Sequence, residues 1–129
     1  RLCNEAGTDG IAVINTLMGK AIDTATRKPI IGNTQGGLSG PAIKPIALLK
    51  EHQVYQVAKE HDVPIIGQGG ITTANDAIEF LVAGATAIGI GTALFYDPLV
   101  CDKINAGIVE YLEQHGLESV ADLTGSLQT

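Results

Sequence analysis

The sequence is poor in basic residues. Its 129 residues include 8 Lys plus Arg against 14 Asp plus Glu, which gives a formal net charge of −6, and no stretch of the chain is a basic run. Binding to nucleic acid or to an anionic membrane depends on clustered positive charge. The composition therefore argues against both partners and favours a small-molecule ligand.

Cysteines and long apolar runs are also scarce. Cys3 and Cys101 are isolated and match no metal-binding spacing, which fits a reducing compartment better than a disulfide framework. We expect both thiols to be buried, as free cysteines commonly are. No apolar run reaches the roughly 18 residues that a membrane-spanning helix needs, and the amino end has no signal-peptide pattern. These absences predict a cytoplasmic protein without a metal site.

Two short apolar runs that end in glycines are the most informative feature present. Residues 64–71 read PIIGQGGI, and residues 87–93 read AIGIGTA. Runs of this length predict strands buried on both faces, and glycines at their carboxyl ends let backbone N–H groups approach a ligand closely. The loops after the last two strands of a β/α barrel commonly bind phosphate. The pair therefore predicts a cradle for a phosphate-bearing cofactor. We call the loop at residues 69–70 the first cradle loop and the loop at residues 91–92 the second cradle loop.

The order of elements repeats as strand followed by helix. Residues 10–16 predict a first strand, and residues 21–32 predict a small hairpin that leaves the main sheet. An amphipathic helix is predicted from Pro41 to His61. The second and third strands are each followed by a predicted helix. The helix after the second strand begins with a capping box at residues 73–76. This repetition predicts a parallel sheet with right-handed crossovers.

Three strand-helix units are too few for a closed barrel, which has eight and typically about 250 residues. The predicted fold class is therefore α/β, the carboxyl-terminal portion of a TIM (β/α)8 barrel, with residues 1–129 as one segment of a single domain. Strands that are apolar on both faces need a covering layer on each. We expect the open face to pack against the missing amino-terminal part of the barrel or to form a homo-oligomer. The contact is predicted at Ile11, Val13, Ile65 and Ile88 or their alternating neighbours.

Five segments together resemble class 1 dihydroorotate dehydrogenase and look closest to the catalytic subunit of its NAD-linked subtype. They are residues 14–17 (INTL), 26–30 (TRKPI), 36–45 (GGLSGPAIKP), 65–70 (IIGQGG) and 91–93 (GTA). The resemblance covers residues 10–125, and the loop at 36–45 is its most specific part. It implies a barrel that holds FMN at the carboxyl ends of its strands. The implied reaction is oxidation of dihydroorotate to orotate in pyrimidine biosynthesis.

The resemblance also implies site residues. The FMN phosphate would bind the backbone N–H groups of four residues, Gly69, Gly70, Gly91 and Thr92. Gly40 would approach the flavin or ribityl region, and Ile14 would pack near the isoalloxazine ring. Asn15 and Thr16 would bind the pyrimidine substrate, because an amide and a hydroxyl supply the donors and acceptors that its edges require.

No catalytic residue is assigned to this chain. In the family that it resembles, the base is a cysteine on an earlier loop of the barrel, and neither Cys3 nor Cys101 matches that position. The segment alone is therefore expected to be inactive. Lys44 is left outside the site, and Asp76 is assigned a helix-capping role. The NAD-linked subtype further implies a second subunit that carries FAD and an iron–sulfur cluster for electron transfer.

Two alternatives stay open. The chain could be a non-catalytic module that binds phosphate or assembles with itself, which the missing base favours. It could also belong to another FMN or sugar-phosphate barrel enzyme, because the glycine pattern of the two cradle loops is shared widely. The loop at residues 36–45 and the Asn15-Thr16 pair speak against the latter.

Overall fold

The computed structural model describes residues 2–128, apart from the side chain of Asn4. In chain order its main elements are α1 (Leu2–Glu5), β1 (Ile11–Val13), β2 (Leu17–Gly19), β3 (Ile22–Asp23), β4 (Lys28–Pro29), β5 (Gly36–Leu38), α2 (Lys44–Ala58), β6 (Ile65–Gln68), α3 (Ala74–Ala83), β7 (Ala87–Gly89) and α4 (Val100–His115). Short 3-10 helices cover Pro41–Ile43, Lys59–His61, Thr92–Phe95 and Val120–Asp122.

The main sheet is parallel and has the strand order β1-β6-β7. Ile66 in the central strand pairs with Ala12 on one side and with Ala87 on the other. Each strand leads through a connection to a helix, and α2, α3 and α4 follow the three strands in turn. The predicted series of three strand-helix units is therefore confirmed, although the strands are shorter than the apolar runs suggested.

One face of this sheet is covered by helices and carries the core. Val13 and Ile65 pack with Ala58 of α2, and a larger cluster around Phe80 and Leu81 of α3 extends to α4. Phe80, Ile65 and Leu81 are among the most deeply buried side chains of the described chain. Burial of apolar side chains of this size is the main term that stabilises the sheet.

The opposite face of the sheet is open. Ile66 is 45% exposed, and its cross-strand neighbours Ala12 and Ala87 are exposed as well. Because side chains alternate along a strand, Ala12 is the alternating neighbour of Val13, Ile66 that of Ile65, and Ala87 that of Ile88. All four side chains named for the open-face contact therefore lie on the helix-covered side: Val13 and Ile65 are buried there, and Ile11 and Ile88 pack against the same clusters. The open face is formed by their alternating neighbours.

The chain between β1 and α2 leaves the main sheet. Strands β3 and β4 pair antiparallel, which confirms the hairpin predicted at residues 21–32. Strands β2 and β5 form a second antiparallel ribbon that was not predicted. Its β5 strand contains Gly36 and Gly37, and glycine has low strand propensity, so only the pairing with β2 makes this segment extended.

Local capping chemistry sets the helix ends. The Thr73 side chain accepts the Asp76 N–H and the Asp76 side chain accepts the Thr73 N–H, so the predicted capping box is present. Gly84 and Gly116 end α3 and α4 with positive φ, which glycine adopts without strain. Among the described residues that follow α4, Val120–Asp122 form a short 3-10 helix.

The prediction that both cysteines are buried is wrong. Cys3 and Cys101 are exposed and free. Cys3 lies on the short helix α1, and Cys101 lies on α4 and lines a cavity with residues of β7. Within residues 2–128, none of the helices has the length and apolar character that crossing a bilayer requires.

Candidate functional site

A cavity of about 380 Å³ opens at the carboxyl ends of β1, β6 and β7. Its wall includes all eight residues that the sequence analysis assigned to cofactor or substrate, namely Ile14, Asn15, Thr16, Gly40, Gly69, Gly70, Gly91 and Thr92. They come from four separate segments of the chain. The parallel sheet brings three of these segments together, because the carboxyl ends of parallel strands meet at one edge, and Gly40 comes from the loop between β5 and α2.

The loop after β6 is closely packed against its neighbours. Gly69 and Gly70 have φ angles of 134° and 79°, which side chains rarely adopt. A Cβ on Gly69 would stand 2.7 Å from the Cβ of Ala47, and one on Gly70 would stand 2.7 Å from the Gly40 carbonyl oxygen. Only glycine therefore fits at either position.

Backbone donors in the cavity wall lack protein acceptors. Within residues 2–128, the N–H groups of Gly69, Gly70, Gly91 and Thr92 donate no hydrogen bond to another residue. Such donors at the ends of strands favour an anion. The residues present thus fit the phosphate of FMN, which was the cofactor implied by the resemblance.

The second cradle loop is tied to the loop that precedes α2. The Thr92 hydroxyl donates to Ser39 Oγ at 2.8 Å, and Thr92 Cγ2 lies 3.5 Å from where a Cβ on Gly40 would stand. Gly40 is buried and has a φ of 85°. Its backbone therefore passes close to the cavity at a point where a side chain would be strained.

Asn15 and Thr16 are exposed at the cavity mouth, directly after β1. Asn15 Oδ1 accepts the Thr16 N–H at 2.7 Å, which leaves the amide nitrogen of Asn15 without a described partner. The Thr16 side chain lies over Gly37 of β5, where a Cβ would clash with its hydroxyl. The unpredicted β2–β5 ribbon therefore helps to fix the position of Thr16.

Gln68 is a lining residue that the sequence analysis missed. It is the last residue of β6, and its side-chain amide donates to the Ile14 carbonyl oxygen at 3.2 Å. The alternation of side chains along β6 could have located it, because Gln68 shares the open face with Ile66.

A charged network behind the cavity was also missed. Lys44 Nζ lies 2.6 Å from Asp76 Oδ1 and 3.1 Å from Glu79 Oε1. Burial alone would raise the pKa of Asp76, but hydrogen bonds from Lys44, Thr72 and Thr73 hold it well below its usual range. The bond to Asp76 raises the pKa of Lys44. The pair is therefore ionised at neutral pH.

The described lining of the cavity contains no Asp, Glu, His, Lys, Cys or Tyr side chain. Cys3 lines a separate cavity of about 270 Å³ beside α2, and Cys101 lines one of about 340 Å³ beside β7. Among the described residues no group of three or more His, Cys, Asp or Glu side chains could hold a metal ion. The site thus offers binding groups, and its described residues do not include a general base.

Comparison with known proteins identifies the family. The family model for dihydroorotate dehydrogenase matches residues 1–112. The chain belongs to the dihydroorotate dehydrogenase family. It is 51% identical over 126 residues to the catalytic subunit of dihydroorotate dehydrogenase B (NAD(+)) from Pelobacter propionicus, and 53% identical over 127 residues to that from Geotalea uraniireducens. Each match covers 98% of this chain.

The fold of this dihydroorotate dehydrogenase family member agrees with a solved structure. The DHODH of Eimeria tenella in complex with ferulenol superposes with a TM-score of 0.80 at 28% identity, over 97% of this chain and 32% of the other. The chain spans 40% and 41% of the two bacterial relatives and corresponds to their carboxyl-terminal part. The predicted fold class, a portion of a β/α barrel, is thereby confirmed.

Proposed function

We propose that the chain is the carboxyl-terminal segment of an FMN-dependent dihydroorotate dehydrogenase that oxidises dihydroorotate to orotate in pyrimidine biosynthesis. The observation that carries this proposal is the convergence of the eight predicted residues, from four segments, on one cavity at the strand ends. Relatives at about half identity carry the name of this enzyme. Residues 1–129 would then form one part of a single FMN-binding barrel domain.

In this proposal the chain supplies the phosphate end of the FMN site. The unpartnered N–H groups of Gly69, Gly70, Gly91 and Thr92 would donate to the phosphate oxygens. Gly40 would lie against the flavin or ribityl region, and Ile14 would pack near the isoalloxazine ring. FMN, when bound, supplies the redox chemistry of the reaction.

Asn15 and Thr16 would bind the pyrimidine. The free amide nitrogen of Asn15 can donate to a carbonyl or carboxylate oxygen of the substrate, and the Thr16 hydroxyl can donate or accept. Both residues line the cavity and are exposed, so their polar atoms are accessible to a substrate that enters it.

The isolated chain should have no turnover, because its described cavity contains no group that can take a proton from the substrate. General-base catalysis is commonly worth about 10² to 10⁴ in rate, and substrate positioning can be worth more. Orotate formation is followed with the purified chain, FMN and an electron acceptor. A rate equal to that of a full-length relative would contradict the proposal.

The open face of the sheet implies a partner. We propose that Ala12, Ile66 and Ala87 are covered by the amino-terminal part of the barrel and that the isolated chain self-associates through them. The subtype of its relatives also favours an electron-transfer subunit that carries FAD and an iron–sulfur cluster. Free, exposed cysteines fit a reducing compartment, so we place the protein in the cytoplasm.

Calorimetric titration of the chain with FMN and with riboflavin tests the proposed site. The two ligands differ by the phosphate, so FMN should bind at least about tenfold more tightly, equivalent to one or more good hydrogen bonds to a charged group. Equal affinities, or no binding of either ligand, would contradict the proposal.

A non-catalytic phosphate-binding module is the second candidate, which is favoured because none of the described residues that line the cavity has a titratable side chain. The two candidates separate on the coding sequence upstream of residue 1. A barrel segment with a cysteine in its substrate loop, encoded in frame, would support the enzyme. Another FMN or sugar-phosphate barrel enzyme is less favoured, because the family model matches residues 1–112.

A further inference from the structure

The ion pair between Lys44 and Asp76 joins the starts of two helices that follow different strands. Lys44 is the first residue of α2, and Asp76 lies in the first turn of α3. Their charged atoms are 2.6 Å apart, although the residues are 32 positions apart in sequence. Glu79, one turn further along α3, adds a second bond to the same ammonium group.

The second oxygen of Asp76 holds the loop that follows β6. Asp76 Oδ2 accepts the N–H groups of Thr72 and Thr73 at 3.0 and 2.9 Å and the Thr72 hydroxyl at 2.9 Å. One carboxylate therefore binds this loop with one oxygen and α2 with the other. A capping box alone needs only the bond from Asp76 to Thr73 and its reciprocal, so the link to Lys44 goes beyond helix capping.

Lys44 also touches the loop directly. A Cβ on Gly70 would stand 3.0 Å from both the Cβ and the backbone nitrogen of Lys44. The residue that carries the ammonium group of the ion pair thus packs its backbone and Cβ against Gly70, which lines the cavity. The ammonium group is shared by two carboxylates, and its side chain is only 25% exposed, so its charge is already compensated within the protein.

We propose that Lys44 and Asp76 are positioning residues, which hold the loop at residues 69–73 against the start of α2 so that the N–H groups of Gly69 and Gly70 meet a phosphate. This inference rests on the proposed function, which supplies the phosphate. It assigns to Lys44 a role through the loop and not a direct bond to the ligand. A displacement of about 1 Å in such a group can cost much of its contribution.

The test compares three variants of the full chain, Lys44→Met, Lys44→Arg and Lys103→Met. Lys103 forms an ion pair of the same 2.6 Å length with Asp97, but on the exposed surface of α4, so Lys103→Met is a matched control. FMN and riboflavin affinities are measured by flavin fluorescence.

Lys44→Met should weaken FMN binding by about tenfold and leave riboflavin binding unchanged, because only the phosphate meets the loop. Lys44→Arg should restore most of the loss.

Lys103→Met should bind FMN within about twofold of the unmodified chain, because exposed ion pairs contribute little. An unchanged FMN affinity in Lys44→Met, an equal loss for riboflavin, or a failure of Lys44→Arg to rescue would each overturn the inference. The inference is supported if the ratio of FMN affinity to riboflavin affinity falls in Lys44→Met and stays unchanged in Lys103→Met.

A ligand-free measurement separates this inference from the proposed function. Amide hydrogen exchange of Thr72 and Thr73, whose N–H groups donate to Asp76 Oδ2, should be faster in Lys44→Met than in Lys103→Met when measured by NMR. Unchanged exchange would overturn the positioning role whatever FMN does. Faster exchange in a chain that binds neither FMN nor inorganic phosphate would show that Lys44 does hold the loop. It would nevertheless overturn the claim that the loop binds phosphate, and with it the proposed function.

Discussion

The two cradle loops have the same expected ligand and very different surroundings. Gly69 and Gly70 lie in positive φ, and any Cβ there would meet protein atoms at 2.7 Å. Gly91 has a φ of −121°, and a Cβ on it would meet nothing within 4 Å. The first loop therefore needs glycine for its own packing, whereas the second needs glycine only if a ligand approaches. Substitutions in the two loops can thus separate the demands of the fold from those of the ligand.

The largest effect is expected for Gly70→Val. The new side chain would clash with the Gly40 carbonyl oxygen and would force a β-branched residue into positive φ. Strain of this kind costs about 1–3 kcal/mol in the free energy of unfolding, and FMN and phosphate binding should be lost. Calorimetry and urea denaturation measure the two effects. Unchanged phosphate affinity would remove the first loop from the site.

The next effect concerns α2, the helix behind the first loop. Glu51 is 0% exposed, neither of its carboxylate oxygens has a hydrogen-bond partner among the described residues, and burial raises its pKa to about 7. The ordinary value is 4.5, so between these values the unfolded chain binds fewer protons than the folded one. The free energy of unfolding should therefore fall as pH rises from about 4.5 to about 7.

Replacing that carboxylate removes the penalty. Glu51→Leu should raise the free energy of unfolding by about 2–3 kcal/mol at pH 8 and by much less near pH 4. FMN affinity should stay unchanged, because local contacts at Gly70 and Lys44 set the loop. Urea denaturation at the two pH values checks the first expectation, and Glu51→Gln serves as a variant of equal size. A pH-independent gain would show that Glu51 is not buried as a carboxyl group.

The smallest effect is expected for Gly91→Ala. The open space around Gly91 and its negative φ should accept a methyl group, so the free energy of unfolding should change by no more than about 0.5 kcal/mol. FMN binding should nevertheless weaken several-fold, because the methyl group would stand between the backbone N–H groups and the phosphate. Gly32→Ala, in an exposed turn with open space, is the control. An unchanged FMN affinity in Gly91→Ala would show that the second cradle loop does not bind the phosphate.

Features set by local chemistry could be predicted from the sequence, whereas features set by long-range pairing could not. Thr73, Gly84 and Gly116 predict helix ends, because capping acts over four residues or fewer. The structure confirms all three helix ends. The β2–β5 ribbon joins glycine-rich and apolar segments without such a local pattern, so it was not found. The chain segments that form the cavity were identified through the resemblance to a family, and periodicity alone indicated only the two glycine loops.

Charged and polar residues were the least predictable from sequence. Lys44 at a helix start is compatible with solvent or with a distant carboxylate, and only the packing of α2 against α3 selects Asp76. Glu51 is a polar residue within an amphipathic helix, where exposure is the usual outcome, yet it is buried. Cys101 was expected to be buried, but it is exposed on α4, where it lines a cavity beside β7.

The central claim is that the N–H groups of both loops bind one phosphate. It is tested most directly by mapping backbone amide shifts of the ¹⁵N-labelled chain during titration with FMN, inorganic phosphate and riboflavin. The account predicts that the amides of Gly69, Gly70, Gly91 and Thr92 shift together with FMN and with phosphate, and do not shift with riboflavin. Saturation with FMN that leaves these four amides in place would contradict it.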